Sequence, residues 1–115
     1  RCVAIADGFY EWKRQEKIKT PYYFLREDKK NMYMAGIYEN DEFCLITENA
    51  SENVNIIHHR QPVILNEVDV NRYLNLELSG SNFLNECKKT KLNFYEVSKE
   101  VNKPTNNSIS LIQKI

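Results

Sequence analysis

Arg1-Cys2-Val3-Ala4-Ile5-Ala6-Asp7-Gly8-Phe9-Tyr10-Glu11-Trp12 is the stretch from which the fold reads outward. A short apolar run, an Asp-Gly signal and a second run rich in aromatics predict strand, tight turn and strand. Alternation in the second strand puts Phe9 and Glu11 on one face and Tyr10 and Trp12 on the other. Glu11 is thus a carboxylate set among large aromatics. Such a group is either desolvated or held by a specific partner, and both are common at chemical sites. A surface carboxylate on a half-buried strand is the plain alternative.

The rest of the chain continues in short strands. Lys13 to Thr20 reads as a solvated, charged connection. Pro21 to Arg26 has the aromatic density of a strand, with proline at its tolerated first position. Glu27 to Asn31 is a polar turn. Met32 to Tyr38 is a strand in which Gly36 marks a bulge or a close backbone approach. Asn40 to Glu42 turns the chain into an apolar strand over Phe43 to Thr47. Ala50 to Ile57 fits a short helix capped by Ser51 that delivers His58 near its end. Gln61 to Leu65 is a strand broken by Pro62.

Helical spacing comes late. Val70, Tyr73, Leu74 and Leu78 predict a helix over Val68 to Leu78. Ser79 is a candidate cap for a second helix through Phe83, Leu84 and Cys87, with Lys88 and Lys89 suiting its C-terminal end. Leu92 to Val97 is a final strand, and Asn102 to Asn107 is loop. Strands in runs followed by two short helices in the C-terminal half predict an α+β fold built mainly on antiparallel sheet, as one domain over residues 1–115.

Composition bounds the function. Hydrophobic residues at 42% and charged residues at 28% are ordinary for a globular domain, which argues against disorder. Sixteen basic and sixteen acidic side chains cancel, so a nucleic-acid partner is neither announced nor excluded, because a local basic groove can hide in a neutral total. No apolar run is long enough to span a bilayer, and a membrane partner is not expected. Cys2, Cys44 and Cys87 are an odd set without Cys-x-x-Cys spacing. They read as small buried hydrophobes in a reducing, cytoplasmic compartment rather than as a disulfide framework.

Two histidines and an arginine lead into the strand at Ile57-His58-His59-Arg60-Gln61-Pro62-Val63-Ile64-Leu65. A histidine pair is more often a solvated turn than a ligand set. Without further histidines or a nearby cysteine cluster, no metal site is expected. An acid/base histidine is the better chemical reading, since imidazole titrates near neutrality. Beside it, the fork of Arg60 suits an anion. Spacing alone ends at a Glu/His acid–base site with an anion-binding arginine.

The motifs taken together go further. Arg1-Cys2 through Gly8-Phe9-Tyr10-Glu11-Trp12, Pro21-Tyr22, Ala35-Gly36-Ile37-Tyr38-Glu39, Thr47-Glu48-Asn49-Ala50, His58-His59-Arg60-Gln61-Pro62-Val63-Ile64-Leu65 and Val97-Ser98-Lys99-Glu100-Val101-Asn102 occur in that order. In this the sequence resembles the SOS-response-associated peptidase (SRAP) family, whose members shield abasic sites in single-stranded DNA. Three positions depart from the family pattern: Ile5 stands for its proline, Glu48 for its second threonine and Gln61 for its methionine. Family members begin Met-Cys-Gly-Arg, and their N-terminal cysteine is the nucleophile. Cys2 belongs to the internal Arg-Cys motif and does not match that nucleophile, so the chain is expected to be the C-terminal two-thirds of such a domain.

The resemblance implies a DNA-damage protein that crosslinks covalently to abasic sites, with Glu11 and His58 catalytic. Arg60, Thr47, His59 and Trp12 would be DNA-binding residues, with Trp12 packing beneath the site rather than stacking on a base. No cofactor is implied. The complete protein would carry DNA–protein crosslinking and self-processing activity, this chain alone would be inactive, and the setting would be a bacterial nucleoid or a eukaryotic nucleus. A non-covalent module for damaged or modified single strands, or a cysteine-type peptidase, are the alternatives.

Overall fold

Cys2–Ala6 forms a strand, β1, and Phe9–Gln15 a second, β2, but the Asp7-Gly8 turn does not pair them. It carries the chain from one sheet to another. In a computed structural model that describes residues 1–77, 83–87 and 89–115, β1 pairs antiparallel with β4 (Met32–Glu39), and β2 with β3 (Ile18–Arg26). Gly8 is required at the crossing. A Cβ there would collide with the Phe24 carbonyl and the Tyr23 ring.

The first sheet has the order β1-β4-β5, where β5 is Glu42–Leu45, and Ile64–Leu65 (β8) pairs with Tyr33 and Met34 of β4. The second has the order β2-β3-β9, with β9 spanning Leu92–Glu96. A two-stranded ribbon joins Thr47–Asn49 (β6) to Arg60–Pro62 (β7). Among the described residues two α-helices complete the fold, α1 (Glu67–Leu74) and the four-residue α2 (Phe83–Glu86), so the α+β antiparallel expectation holds. Asn66 caps α1, its side chain accepting from the Asp69 amide. Leu78, Ser79 and Lys88 lie outside the described residues.

Where β4 meets β8 the first sheet is covered on both faces, and the period of two sorts its residues. Met32, Met34 and Ile64 face a cluster with Phe24 and Leu92 of the second sheet and with Val54 and Ile57. Ala35 and Leu65 point the other way, to Tyr73 on α1, Phe83 on α2 and Cys87. Arg1 clamps this side: its guanidinium lies 4.6 Å above the Tyr73 ring and donates to the Tyr73 carbonyl at 2.9 Å. The Tyr73 hydroxyl in turn donates to the Gly36 carbonyl at 2.6 Å.

Several local expectations change. Lys13 to Thr20 is a β-hairpin: β2 and β3 run through it and turn at Glu16-Lys17, where Glu16 has φ 56°. No Asn-Gly or Asp-Gly signal marks that turn. Pro21 sits inside β3, opposite Trp12, rather than at its start. It is tolerated because its nitrogen and carbonyl face β9 instead of β2, and the carbonyl accepts from the Val97 amide. The 43–47 run breaks at Ile46, with no breaker beside it, and the 61–65 run breaks at Val63 rather than at the expected Pro62. There the Ala35 amide donates to Val63, the Ile46 amide to Ala35, and the Val63 amide to Ile46. Gly36 is a close approach, since a Cβ would lie 2.9 Å from the Cys44 carbonyl. Cys44 itself is exposed, against the expectation of burial.

Candidate functional site

Glu11 and His58 meet. Phe9 anchors β2 by stacking on Phe24 (4.9 Å, 7°), and two residues on the same face brings Glu11 to the mouth of the core. His58 arrives on a 3-10 turn, Val54–Ile56, rather than on the expected helix. The Ser51 side chain makes no cap; its carbonyl accepts from the Asn55 amide instead. Buried Val54 and Ile57 pin the turn into the core, the Asn53 side chain donates to the Leu92 carbonyl at 2.8 Å, and the His58 amide bonds the Val54 carbonyl.

Between the two elements, Glu11 Oε2 lies 3.8 Å from His58 Nδ1, with both side chains about a third exposed (27% and 31%). At that length the contact is an electrostatic facing rather than a hydrogen bond. The other carboxylate oxygen, Oε1, accepts from the Trp12 amide at 3.1 Å. Glu11 is thus held by the neighbouring backbone amide and faces the imidazole of His58.

His58 Nδ1 also faces the Arg60 backbone, 3.1 Å from the amide nitrogen and 3.2 Å from the carbonyl. Unprotonated, Nδ1 accepts from the Arg60 N–H. Protonated, it donates to the Arg60 carbonyl and faces the Glu11 carboxylate, so the two partners favour opposite tautomers. In either state Nδ1 is engaged. Among the described residues Nε2 makes no hydrogen bond and is the nitrogen left for a ligand. His59 stacks on His58 with ring centroids 4.6 Å apart.

These residues line a groove of about 1120 Å³ that also takes in Trp12, Lys13, Arg14 and Lys19 from the β2–β3 hairpin and a wall at Val101, Asn102 and Pro104. Glu11 is the one acid among its described lining residues, against three Lys and Arg side chains. The cations went unread because Lys13 to Thr20 looks like a solvated connection. The Lys13-Arg14 pair directly after Trp12 was the available signal. Trp12 Nε1 donates to Asn102 Oδ1 at 2.7 Å, tying the first sequence motif to the last. Ser98 of that last motif caps the 3-10 turn Lys99–Asn102 that positions Asn102.

Arg60 and Thr47 form a second constellation beside the groove, on the β6–β7 ribbon. Arg60 Nη2 donates to the Thr47 carbonyl (2.9 Å) and hydroxyl (3.1 Å), and Nη1 to Asn49 Oδ1 (2.8 Å). Three bonds leave part of its five-donor fork for a ligand. Behind the ribbon two of the three departures from the family pattern, Glu48 and Gln61, face each other. Glu48 pairs with Gln61 across β6–β7, and the Gln61 amide reaches Glu48 Oε1 at 3.5 Å. Gln61 Oε1 accepts from the Ser51 amide (2.9 Å), and Lys89 closes on Glu48 Oε2 (2.8 Å).

Among the described residues no cysteine lines the groove, no group of three or more His, Cys, Asp or Glu side chains could hold a metal ion, and no helix is long and apolar enough to cross a membrane. Cys87 is buried, which pushes its thiol pKa up.

Fold and groove together define an antiparallel α+β domain that sets one carboxylate against one histidine in an open cleft lined by cations. The chain belongs to the SOS response associated peptidase (SRAP) family, whose sequence profile matches residues 1–104. It is 33% identical to the abasic site processing protein YoqW of Bacillus subtilis, over 98% of this chain and 57% of that protein. An abasic site processing protein of Saccharomyces cerevisiae is 31% identical over the whole chain and 35% of its own length. The crystal structure of a Bacteroides thetaiotaomicron protein superposes with a TM-score of 0.81 at 26% identity, covering 98% of this chain and 56% of that one. The chain therefore spans about half the length, or less, of these relatives.

Proposed function

We propose that this chain forms the acid–base half of a site that captures abasic lesions in single-stranded DNA, and that the complete protein does so covalently. The observation that carries the proposal is the 3.8 Å approach of Glu11 to His58 inside a groove that also takes in Lys13, Arg14 and Lys19. The relatives named as abasic site processing proteins supply the substrate class.

An abasic sugar equilibrates between a closed ring and an open-chain aldehyde. His58, through Nε2, shuttles the proton that opens the ring. An N-terminal cysteine ahead of the Arg1-Cys2 motif supplies an amine and a thiol. Glu11 takes a proton from the ammonium, the amine condenses with the aldehyde to an imine with loss of water, and the thiol adds across the C=N bond to close a thiazolidine. Arg60 grips a phosphate with the donors it does not spend on Thr47 and Asn49, and the Thr47 hydroxyl contacts the DNA backbone. His59 backs His58 and borders the DNA path. Trp12, fixed to Asn102, forms a wall of the groove beneath the lesion.

The test is a denaturing gel of the complete protein incubated with a single-stranded oligonucleotide bearing one abasic site. The proposal expects a shifted band that survives denaturation and disappears when the N-terminal cysteine is replaced by serine. Binding on a native gel without any such band would instead support a non-covalent module for damaged strands.

A further inference from the structure

We infer that the β2–β3 hairpin is a phosphate-tracking arm: Lys13, Arg14 and Lys19, with the backbone of the free β2 edge, hold the DNA strand on one flank of the lesion. This rests on the proposed reading of the groove and extends it to the nucleotides beyond the reacting sugar.

Three observations converge. First, among the described residues β2 is an edge strand, and one side of it makes no ladder. The Trp12–Pro21 pair lacks a proline N–H, and antiparallel pairs alternate between bonded and non-bonded. Toward the hairpin tip the bonded pairs are therefore Lys13–Thr20 and the loop-closing Gln15–Ile18. The N–H and C=O groups of Trp12 and Arg14 point off the free edge. The Trp12 N–H bears this out, since it is met by the Glu11 carboxylate rather than by β3. The next outward amide toward the tip is Arg14, whose own guanidinium adds charge at the same place.

Second, alternation distributes the cations around this edge. Lys13 shares the face of Glu11, while Arg14 and its cross-strand partner Lys19 share the face of Trp12. All three line the groove. In a chain with equal numbers of acidic and basic residues, this segregation of positive charge suits a polyanion. Third, the dimensions fit a strand of DNA. At about 3.3 Å per residue, the path from Glu11 to Arg14 covers about 10 Å, matching the axial rise of about three nucleotides of one stacked strand at roughly 3.4 Å each.

The test uses the complete protein and an oligonucleotide carrying an unreactive tetrahydrofuran abasic analogue, with affinity measured across a salt series. A K13Q/R14Q/K19Q variant should show a slope of log affinity against log salt shallower by about 2, because each phosphate contact on a single strand contributes roughly 0.7. The charge-conserving K13R/R14K/K19R variant should keep the wild-type slope, which separates charge from misfolding. Cutting the oligonucleotide to one nucleotide beyond the lesion, on each side in turn, should weaken wild-type binding on one flank, and the glutamine variant should be blind to that cut. An unchanged slope, or equal sensitivity of both proteins to both cuts, overturns the arm. If the wild type also fails to crosslink a reactive abasic site, the catalytic reading fails separately. A crosslink with an unchanged slope removes the arm alone.

Discussion

Replacing Gln61 by methionine and Glu48 by threonine, the residues of the family pattern, separates two roles that the β6–β7 ribbon combines. Gln61 is 7% exposed and carries two bonds: it accepts from the Ser51 amide at 2.9 Å and reaches Glu48 at 3.5 Å. Gln61→Met leaves the Ser51 N–H without its acceptor and Glu48 Oε1 without its donor, at a cost of about 1–3 kcal/mol. Glu48→Thr loses the contact with Lys89, whose side chain is 62% exposed and returns to water, so this half costs about 0–1 kcal/mol. In the double variant the carboxylate oxygen that the first change left without its donor is gone. The two effects should then fall short of their sum by about 1 kcal/mol, the range of coupling between contacting residues. Urea unfolding of the four proteins measures this cycle. Additivity within about 0.5 kcal/mol would refute the reasoning, and the two departures from the pattern would be independent.

Two further perturbations test the frame around the site. Gly8→Ala should destabilise by about 1–3 kcal/mol, or block folding, because the added methyl meets the Phe24 carbonyl and the Tyr23 ring; a thermal midpoint equal to wild type would contradict the close crossing of the two sheets. Asp28 accepts two bonds from Arg26, at 2.9 and 2.6 Å, and these hold its carboxyl below the ordinary value of 3.8. A lowered folded-state pKa stabilises above the unfolded value and is lost as pH falls through the folded one. Asp28→Asn should therefore be less stable than wild type at pH 7, with the gap closing below pH 3.8 in acid titrations; a gap that persists in strong acid would show that the pair does not act through charge.

How much of this was legible in the sequence depends on how local each cause is. Alternation placed Glu11 beside Phe9, and the helical spacing of Val70 and Tyr73 located α1, because both patterns follow from the periodicity of one element. The crossing at Asp7-Gly8 was not legible. A turn signal says that the chain bends, not which strand each arm will meet. The breaks at Ile46 and Val63 fall on apolar residues, since three backbone bonds among Ala35, Ile46 and Val63 cause them, and those partners are distant in sequence. The hairpin tip at Glu16-Lys17 lacks glycine, so its charges read as a linker and the groove's cations were missed. The bond of Arg60 to Thr47 and the facing of Glu48 and Gln61 depend on ribbon register, which the motifs did not carry. The pairing of Glu11 with His58 was readable from each residue's own surroundings, a carboxylate among aromatics and an imidazole leading into an apolar strand, and motif order added the likeness to a family.

The most direct measurement of the central claim is the single-turnover rate of crosslink formation, read on denaturing gels, for wild type, Glu11→Gln and His58→Ala with single-stranded abasic DNA. Removing one acid–base group should slow the reaction by about 10²–10⁴. Glu11→Gln keeps an oxygen for the Trp12 amide, so a slow rate there reports the lost carboxylate rather than a lost fold. His58→Ala should recover on a substrate whose sugar is already an open-chain aldehyde, while Glu11→Gln should not. Wild-type rates in both variants, or no recovery of His58→Ala on the open aldehyde, would contradict the assignment of amine activation to Glu11 and ring opening to His58.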